Sequence, residues 1–313
     1  MVNRFLSIIG QSQTKKKLNF HLDVYNKTNF LPPLFLIGSK GHGKTSIARE
    51  ICEYLKQQSG GEKNWIELNG TSVRKLSSFV NDLILPEINN KRVTLFVDEF
   101  HKMDLTIRDW LLSVFSLDSN YRSSARFQPD INLEFDFRQF SFIAASTNQE
   151  KLSSPLMERL KVVELEQYTK DDLVKILFQK APEIEFIEGV ENDIVSVSRG
   201  SPRLLGTPGG LAEDIIGYCQ LHRRIIFGNK DWESLKQSLG IHLLGLQVKE
   251  LELLRALTKG SLTLTCLAAK LGLDSKTVQK SVETYLHNQD LIRIDGKRFL
   301  THKGRQILEQ IDL

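Results

Sequence analysis

The sequence predicts an α/β protein: a parallel sheet built around a phosphate-binding loop, then an all-helical segment, then three helices closed by a hairpin. Three stretches carry that prediction. Pro33 to Leu55 reads as strand, glycine loop and amphipathic helix. Arg92 to Met103 reads as a buried strand ending in two acids, and Leu243 to Leu313 as helices followed by a short two-stranded turn.

With 313 residues, the chain suits two or three domains. Its 41% hydrophobic and 26% charged residues are ordinary for a folded domain protein. A formal charge of +4 permits a polyanionic partner without demanding one. The three cysteines, Cys52, Cys219 and Cys266, are far apart and form no metal-ligand pair, a usage that suits a reducing cytoplasm. No apolar leader and no run of membrane-spanning length is present in the sequence, so a cytoplasmic location without a membrane is expected.

Taken in order, Phe5 to Gly10 leads into a helix over 11–28, whose Lys15, Lys16 and Lys17 read as a solvated face. Pro33 to Ile37 is a short buried strand. The next eight residues, Gly38, Ser39, Lys40, Gly41, His42, Gly43, Lys44 and Thr45, fit G-x-x-x-x-G-K-[ST] between a strand and a helix. The glycines let backbone N–H groups turn inward toward an anion. The helix that starts here, with Ser46 in its first turn, adds partial positive charge. Lys44 is placed to reach the β- and γ-phosphates, and the Thr45 hydroxyl to bind Mg²⁺. These residues together predict an ATP or GTP site.

Trp65 to Asn69 reads as the next strand and Ser77 to Leu85 as a helix. Val93 to Val97 is an apolar, β-rich run of the kind buried on both faces of a parallel sheet. Asp98 and Glu99 end it, where ligands of α/β sheets bind. Asp98 would hold Mg²⁺ through its water shell, and Glu99 would act as general base on the attacking water. After a helix over 109–117, residues 118–137 form an insertion with a basic middle and an alternating end, which predicts a protruding hairpin that docks a partner, touches DNA or is a bare surface loop. Phe140 to Ala145 is another buried strand; Ser146, Thr147 and Asn148 stand at its tip, where a polar group can contact the γ-phosphate or position water. Val162 to Leu165 closes the sheet, and the alternation over 31–166 argues for one parallel sheet.

Residues 169 to about 235 lose the strand pattern and read as helices. In the last segment, Leu251 to Leu257, Leu262 to Leu271 and Ser275 to Asn288 suit three helices, the last two joined as a helix-turn-helix. Leu291 to Ile294, Asp295-Gly296 and Lys297 to Leu300 form a hairpin with a favoured turn. Three helices and a basic hairpin make a winged helix. Its Lys297, Arg298, Lys303 and Arg305, with Arg293 nearby, are the candidate DNA phosphate contacts. The division read from these shifts is 1–167 for the α/β domain, 168–240 for a small helical lid and 241–313 for the winged helix.

With these residues laid out, the chain resembles the AAA+ ATPases, and within them the RuvB family of bacterial Holliday-junction branch-migration motors. The likeness runs nearly end to end. It takes in Ile9-Gly10-Gln11, the glycine loop, LFVDEFHKM, the hairpin insertion, LSSPLMERL, SRGSPR and YLHNQDLIRIDGKR. The resemblance implies that Lys44 and Thr45 are a Walker A pair and Asp98 and Glu99 a Walker B pair. It places Thr147, or the adjacent Asn148, at sensor 1. Arg159 matches the arginine finger that reaches a neighbouring subunit's γ-phosphate, and Arg203 matches sensor 2 in the same subunit. Leu160 stands where the family usually has Phe, and Met157 replaces an arginine one turn before the finger. Pro208 and the glycines around it fall where the family has a continuous helix, and should break or shorten it.

The function these readings imply is a hexameric ring ATPase using ATP and Mg²⁺ to move duplex or branched DNA in recombination and repair. A RuvA-like partner is expected at the 118–137 hairpin. Another class remains open on the sequence: an ATP-switched loader or adaptor that recruits a clamp, helicase or transposase to DNA. A winged-helix transcription regulator with an ATPase switch is a third.

Overall fold

The computed structural model describes residues 4–206 and 208–312. It forms two compact units. One runs to Ile176 and includes Ser201–Arg203; the other comprises Leu177–Gly200 and the chain from Leu204 onward. Among the described residues, no helix is long and apolar enough to cross a membrane.

The first unit is built on five parallel strands: β1 (Leu34–Ile37), β2 (Asn64–Asn69), β3 (Val93–Asp98), and two later ones after a two-stranded hairpin, β4 (Arg122–Gln128) and β5 (Ile131–Asp136). Those later two are β6 (Phe140–Ser146) and β7 (Lys161–Glu164), and the sheet order is β2-β3-β6-β1-β7. Every side chain of β6 is buried, as expected where helices cover both faces. Leu18, Leu22, Ile47, Ile51 and Leu55, from helices Ser12–Thr28 and Lys44–Gln58, close one face. Phe79, Ile84, Ile107 and Leu111 close the other. The register aligns Ile37 with Ser146 and Val97 with Ala144, so the ends of β1, β3 and β6 meet at one edge.

Two expectations change in detail. The helix expected over 77–85 is a turn, Leu76–Ser78, running into a π-helix, Phe79–Ile88, with Pro86 inside it. Proline has no N–H to donate, and the wider π winding accommodates that loss. The 118–137 insertion is a hairpin but not a freely protruding one. Ala125, Leu133 and Phe135 sink into the core, and the Trp110 indole N–H donates to the Arg126 carbonyl at 3.0 Å. The alternation that predicted strands is also what buries one of its faces.

The second unit opens with helices and a two-residue parallel pair, β8 (Glu185–Phe186) with β9 (Ile226–Phe227), so the helical segment is not wholly helical. The helix break predicted near Pro208 is present. Helix Pro202–Gly206 stops, and a new one, Leu211–Leu221, begins after Gly210; Thr207 itself lies outside the described residues. Helices Val248–Leu257 and Leu264–Leu271, the helical run 275–288, and strands β10 (Ile292–Asp295) and β11 (Lys297–Leu300) then complete a winged helix. Its core is Leu251, Leu254, Leu267, Val278, Leu286 and Leu291. Arg199 ties the preceding helices to it. The guanidinium donates to buried Glu250 at 2.8 and 3.3 Å and lies 3.4 Å from the Tyr285 ring centroid.

Candidate functional site

The glycine loop leaves β1 and turns back into helix Lys44–Gln58 through two left-handed residues, Gly41 (φ +83°) and Gly43 (φ +88°). At Gly41 the need for glycine is also steric. A Cβ there would stand 2.5 Å from Ser201 Oγ and 3.0 Å from Arg203 Cβ. The structure therefore brings Ser201 and Arg203 against the loop. Lys44, only 6% exposed, curls back over the loop, and its Nζ donates to the carbonyls of Gly38 (2.7 Å) and Ser39 (2.9 Å). Burial pushes the ammonium below its usual pKa, while Asp98 and Glu99 pull it back up.

His42 belongs to this loop through its backbone rather than its ring. The ring Nε2 lies 2.9 Å from Gln167 Oε1, and the Tyr168 hydroxyl donates to the His42 carbonyl at 3.3 Å. Gln167 and Tyr168, which follow the last sheet strand, thus brace the loop from behind. Ser39, Lys40 and Ser46 are exposed around its mouth.

β3 delivers the acids beside this loop. Thr45 Oγ1 donates to Asp98 Oδ2 at 2.9 Å, and the other Asp98 oxygen accepts from the Glu99 N–H at 2.8 Å. A hydroxyl and a carboxylate held together form the oxygen-only donor set that Mg²⁺ prefers. Among the described residues no cluster of three or more His, Cys, Asp or Glu could hold an ion, so such a metal would lean on nucleotide oxygens and water for its remaining ligands. Glu99 sits in left-handed backbone (φ +51°), packed so closely that a Cβ on Gly70 would stand 2.5 Å from its carbonyl oxygen. Its carboxylate lies 3.2 Å from Lys102 Nζ and 3.6 Å from His101 Nε2.

Beyond β6, Thr147 is exposed and Asn148 half-buried at the same edge. The buried neighbour is Ser146. Its backbone carbonyl accepts from the Gly38 N–H at 3.4 Å, and its hydroxyl meets His101 Nδ1 at 2.8 Å. His101 does not stand out in the sequence as a site residue, and Ser146 does so only as one of three polar residues at the tip of its strand. The only available signal was position: three residues past Asp98, and immediately before Thr147.

Arg159 is elsewhere. It ends helix Ser154–Arg159, one residue before β7, whose first residue, Lys161, pairs with Leu34 at the start of β1. The glycine loop leaves the other end of β1, a strand length of about 13 Å away. The Arg159 guanidinium is exposed and donates to Ser116 Oγ (3.1 Å) and the Pro155 carbonyl (2.8 Å). The chain does not bring it to its own loop.

The wing requires one correction. Lys297 and Arg298 are consecutive in a strand, so they point to opposite faces. Lys297 pairs with Asp295 and Arg293 with Phe299, whereas Arg298 pairs with Ile294 on the opposite face. Arg298 is 7% exposed and donates to buried Glu283 at 2.7 and 2.9 Å. Its charge is spent inside the domain, and it is withdrawn from the DNA contacts. Arg293, Lys297, Lys303 and Arg305 are exposed, with Lys303 Nζ donating to the Gln289 carbonyl at 2.8 Å.

Comparison with known proteins adds to this geometry. A sequence model of the Holliday junction DNA helicase RuvB P-loop domain matches residues 2–165, and one of the RuvB C-terminal winged helix domain matches 243–309. The chain is 28% identical to the Holliday junction branch migration complex subunit RuvB of Campylobacter hominis, over 97% of this chain and 88% of that protein. It is 25% identical to the subunit of the same name in Mycoplasma genitalium, covering 98% and 96%. In structure it resembles the Thermotoga maritima RuvB Holliday junction branch migration motor, with a TM-score of 0.70 at 24% identity, over 96% of this chain and 95% of the other.

Proposed function

This chain belongs to the RuvB family of Holliday junction P-loop proteins, and from that premise we propose an ATP-driven motor that moves branched DNA by hydrolysing nucleotide at a site shared between subunits. The observation that carries the shared site is the place of Arg159. It sits at one end of β1 with the phosphate loop at the other, so its guanidinium serves the loop of an adjacent copy. Closed rings arise from such head-to-tail contacts, and a hexamer is the assembly proposed here.

In this reading Gly38 to Ser46 cradle the phosphates, Lys44 and the neighbour's Arg159 offset charge developing on the γ-phosphate, and Arg203 contacts the same nucleotide from its own subunit. Thr45 and Asp98 would hold Mg²⁺, which when bound supplies charge neutralisation at the β- and γ-oxygens. Glu99 takes the proton of the attacking water, with Thr147 and Asn148 at the edge where that water sits. Arg293, Lys297, Lys303 and Arg305 hold DNA through phosphates, giving the sequence-tolerant grip that a motor needs. The polar outer face of the β4–β5 hairpin is the proposed dock for a RuvA-like scaffold. The functional division we propose is 1–167, 168–240 and 241–313, working in the cytoplasm.

The test is Glu99→Gln measured in two assays, ATP turnover and movement of a four-way junction. Nucleotide binding should persist, while turnover falls by about 10²- to 10⁴-fold and junction movement stops. DNA-independent, slow turnover in the unaltered protein, without movement of the junction, would favour a loader and overturn the motor.

A further inference from the structure

Three buried or half-buried groups form a line from the edge of β6 to the water-activating carboxylate. His101 is 8% exposed and Ser146 is fully buried. The Ser146 hydroxyl meets three partners: His101 Nδ1 at 2.8 Å, the Asn148 carbonyl at 3.1 Å, and the Asn148 N–H, which donates to it at 3.0 Å. The far nitrogen of the same imidazole faces Glu99 Oε2 at 3.6 Å.

A hydroxyl has one hydrogen, and that limit makes the line a switch. In one arrangement Ser146 donates to His101 Nδ1. The ring hydrogen is then on Nε2, aimed at the Glu99 carboxylate, which it attracts. In the other, Ser146 donates to the Asn148 carbonyl. His101 must now donate from Nδ1 to Ser146, and the bare Nε2 lone pair faces a carboxylate, which it repels. The ring is neutral in both. Passing between them releases one proton from Nε2 to solvent and takes one up at Nδ1. Burial, the largest influence on His101, lowers its pKa and so favours the neutral ring in both arrangements.

We propose that His101 is a positioning residue through which the 146–148 turn sets the aim of Glu99, with Ser146 as the coupling group. Thr147 lies inside that turn, so a contact it makes with nucleotide shifts the Asn148 carbonyl and with it the direction of the Ser146 hydrogen. The inference rests on Glu99 being the water-activating residue proposed above.

Ser146→Ala tests it with little risk to folding, since it removes one buried oxygen. kcat should fall about tenfold, with the KM for ATP and the affinity for a fluorescent ADP both within twofold of the parent. Ser146→Thr, which restores the hydroxyl, should recover most of the loss. In a Glu99→Gln background, where single-turnover rates are read, adding Ser146→Ala should cost nothing further. Parental kcat in Ser146→Ala, failure of the threonine to rescue, or an equal loss in the Glu99→Gln background would each overturn the proposal. If Glu99→Gln itself turns over normally, it is the reading of Glu99 that fails, and that result stands apart from the other three.

Discussion

The Thr45 hydroxyl and the Asp98 carboxylate, 53 residues apart in the chain, meet at 2.9 Å beside the phosphate loop. Helix Lys44–Gln58 supplies one and the end of β3 the other, and neither is held by anything softer than regular structure. Thr45→Val keeps the branched shape and removes the oxygen. We expect ATP turnover to drop about 10²-fold and the Mg²⁺ concentration for half-maximal activity to rise, read by titrating Mg²⁺ at saturating ATP. Unchanged Mg²⁺ dependence would remove Thr45 from the metal site.

If Arg159 serves a neighbour, two inactive proteins should mend each other. Lys44→Ala lacks the loop cation and Arg159→Ala lacks the finger. Mixed in equal amounts and allowed to exchange subunits, about one interface in four pairs an intact loop with an intact finger. ATPase activity should therefore reappear in the mixture and in neither component. Confirmed mixed assemblies that remain inactive would return Arg159 to the status of a surface residue.

Neighbours in sequence, Lys297 and Arg298 should fail in different ways. Lys297→Ala removes an exposed cation, and the slope of log K for DNA against log salt should shrink by about one, with stability unchanged. Arg298→Ala strands the buried Glu283 carboxylate. We expect about 3–5 kcal/mol of lost stability in chemical denaturation. Replacing both Arg298 and Glu283 with apolar residues should restore most of it, because no uncompensated charge remains.

Lys63 offers a pH test remote from the site. It is 2% exposed, donates to Ser141 Oγ at 2.7 Å, and burial lowers its pKa to about 8 from 10.5. The folded state thus gives up the proton earlier than the unfolded chain does. Where the unfolded state binds more protons, stability rises with pH, here from about 8 toward 10.5. The gain expected between pH 8 and pH 9 is about 1 kcal/mol. Lys63→Met should abolish that rise, and a persisting rise would assign it to other groups.

How much of this was legible beforehand depended on the range of the interaction. The glycine loop and the Asp98–Glu99 pair were readable because strand, loop and helix are adjacent in sequence and the motif fixes the chemistry. The inward turn of Arg298 was implicit in the two-residue strand period, but two adjacent basic residues read first as one patch. The contact between His101 and Ser146 was hidden for another reason. Their meeting depends on β3 lying next to β6, a pairing across 45 residues that no local pattern announces. The same holds for Gln167, which finds His42 from 125 residues away. The distance between Arg159 and the loop needed the register of β7 on β1.

The clasp of Arg199 on Glu250 and Tyr285 has a mechanical meaning. The guanidinium is doubly bonded to a buried carboxylate and lies over a phenol ring, and the Tyr285 hydroxyl adds a 2.6 Å bond to the Leu244 carbonyl. In the proposed motor, this clasp would carry movement of helix Val190–Val197 into the winged helix as through a crank.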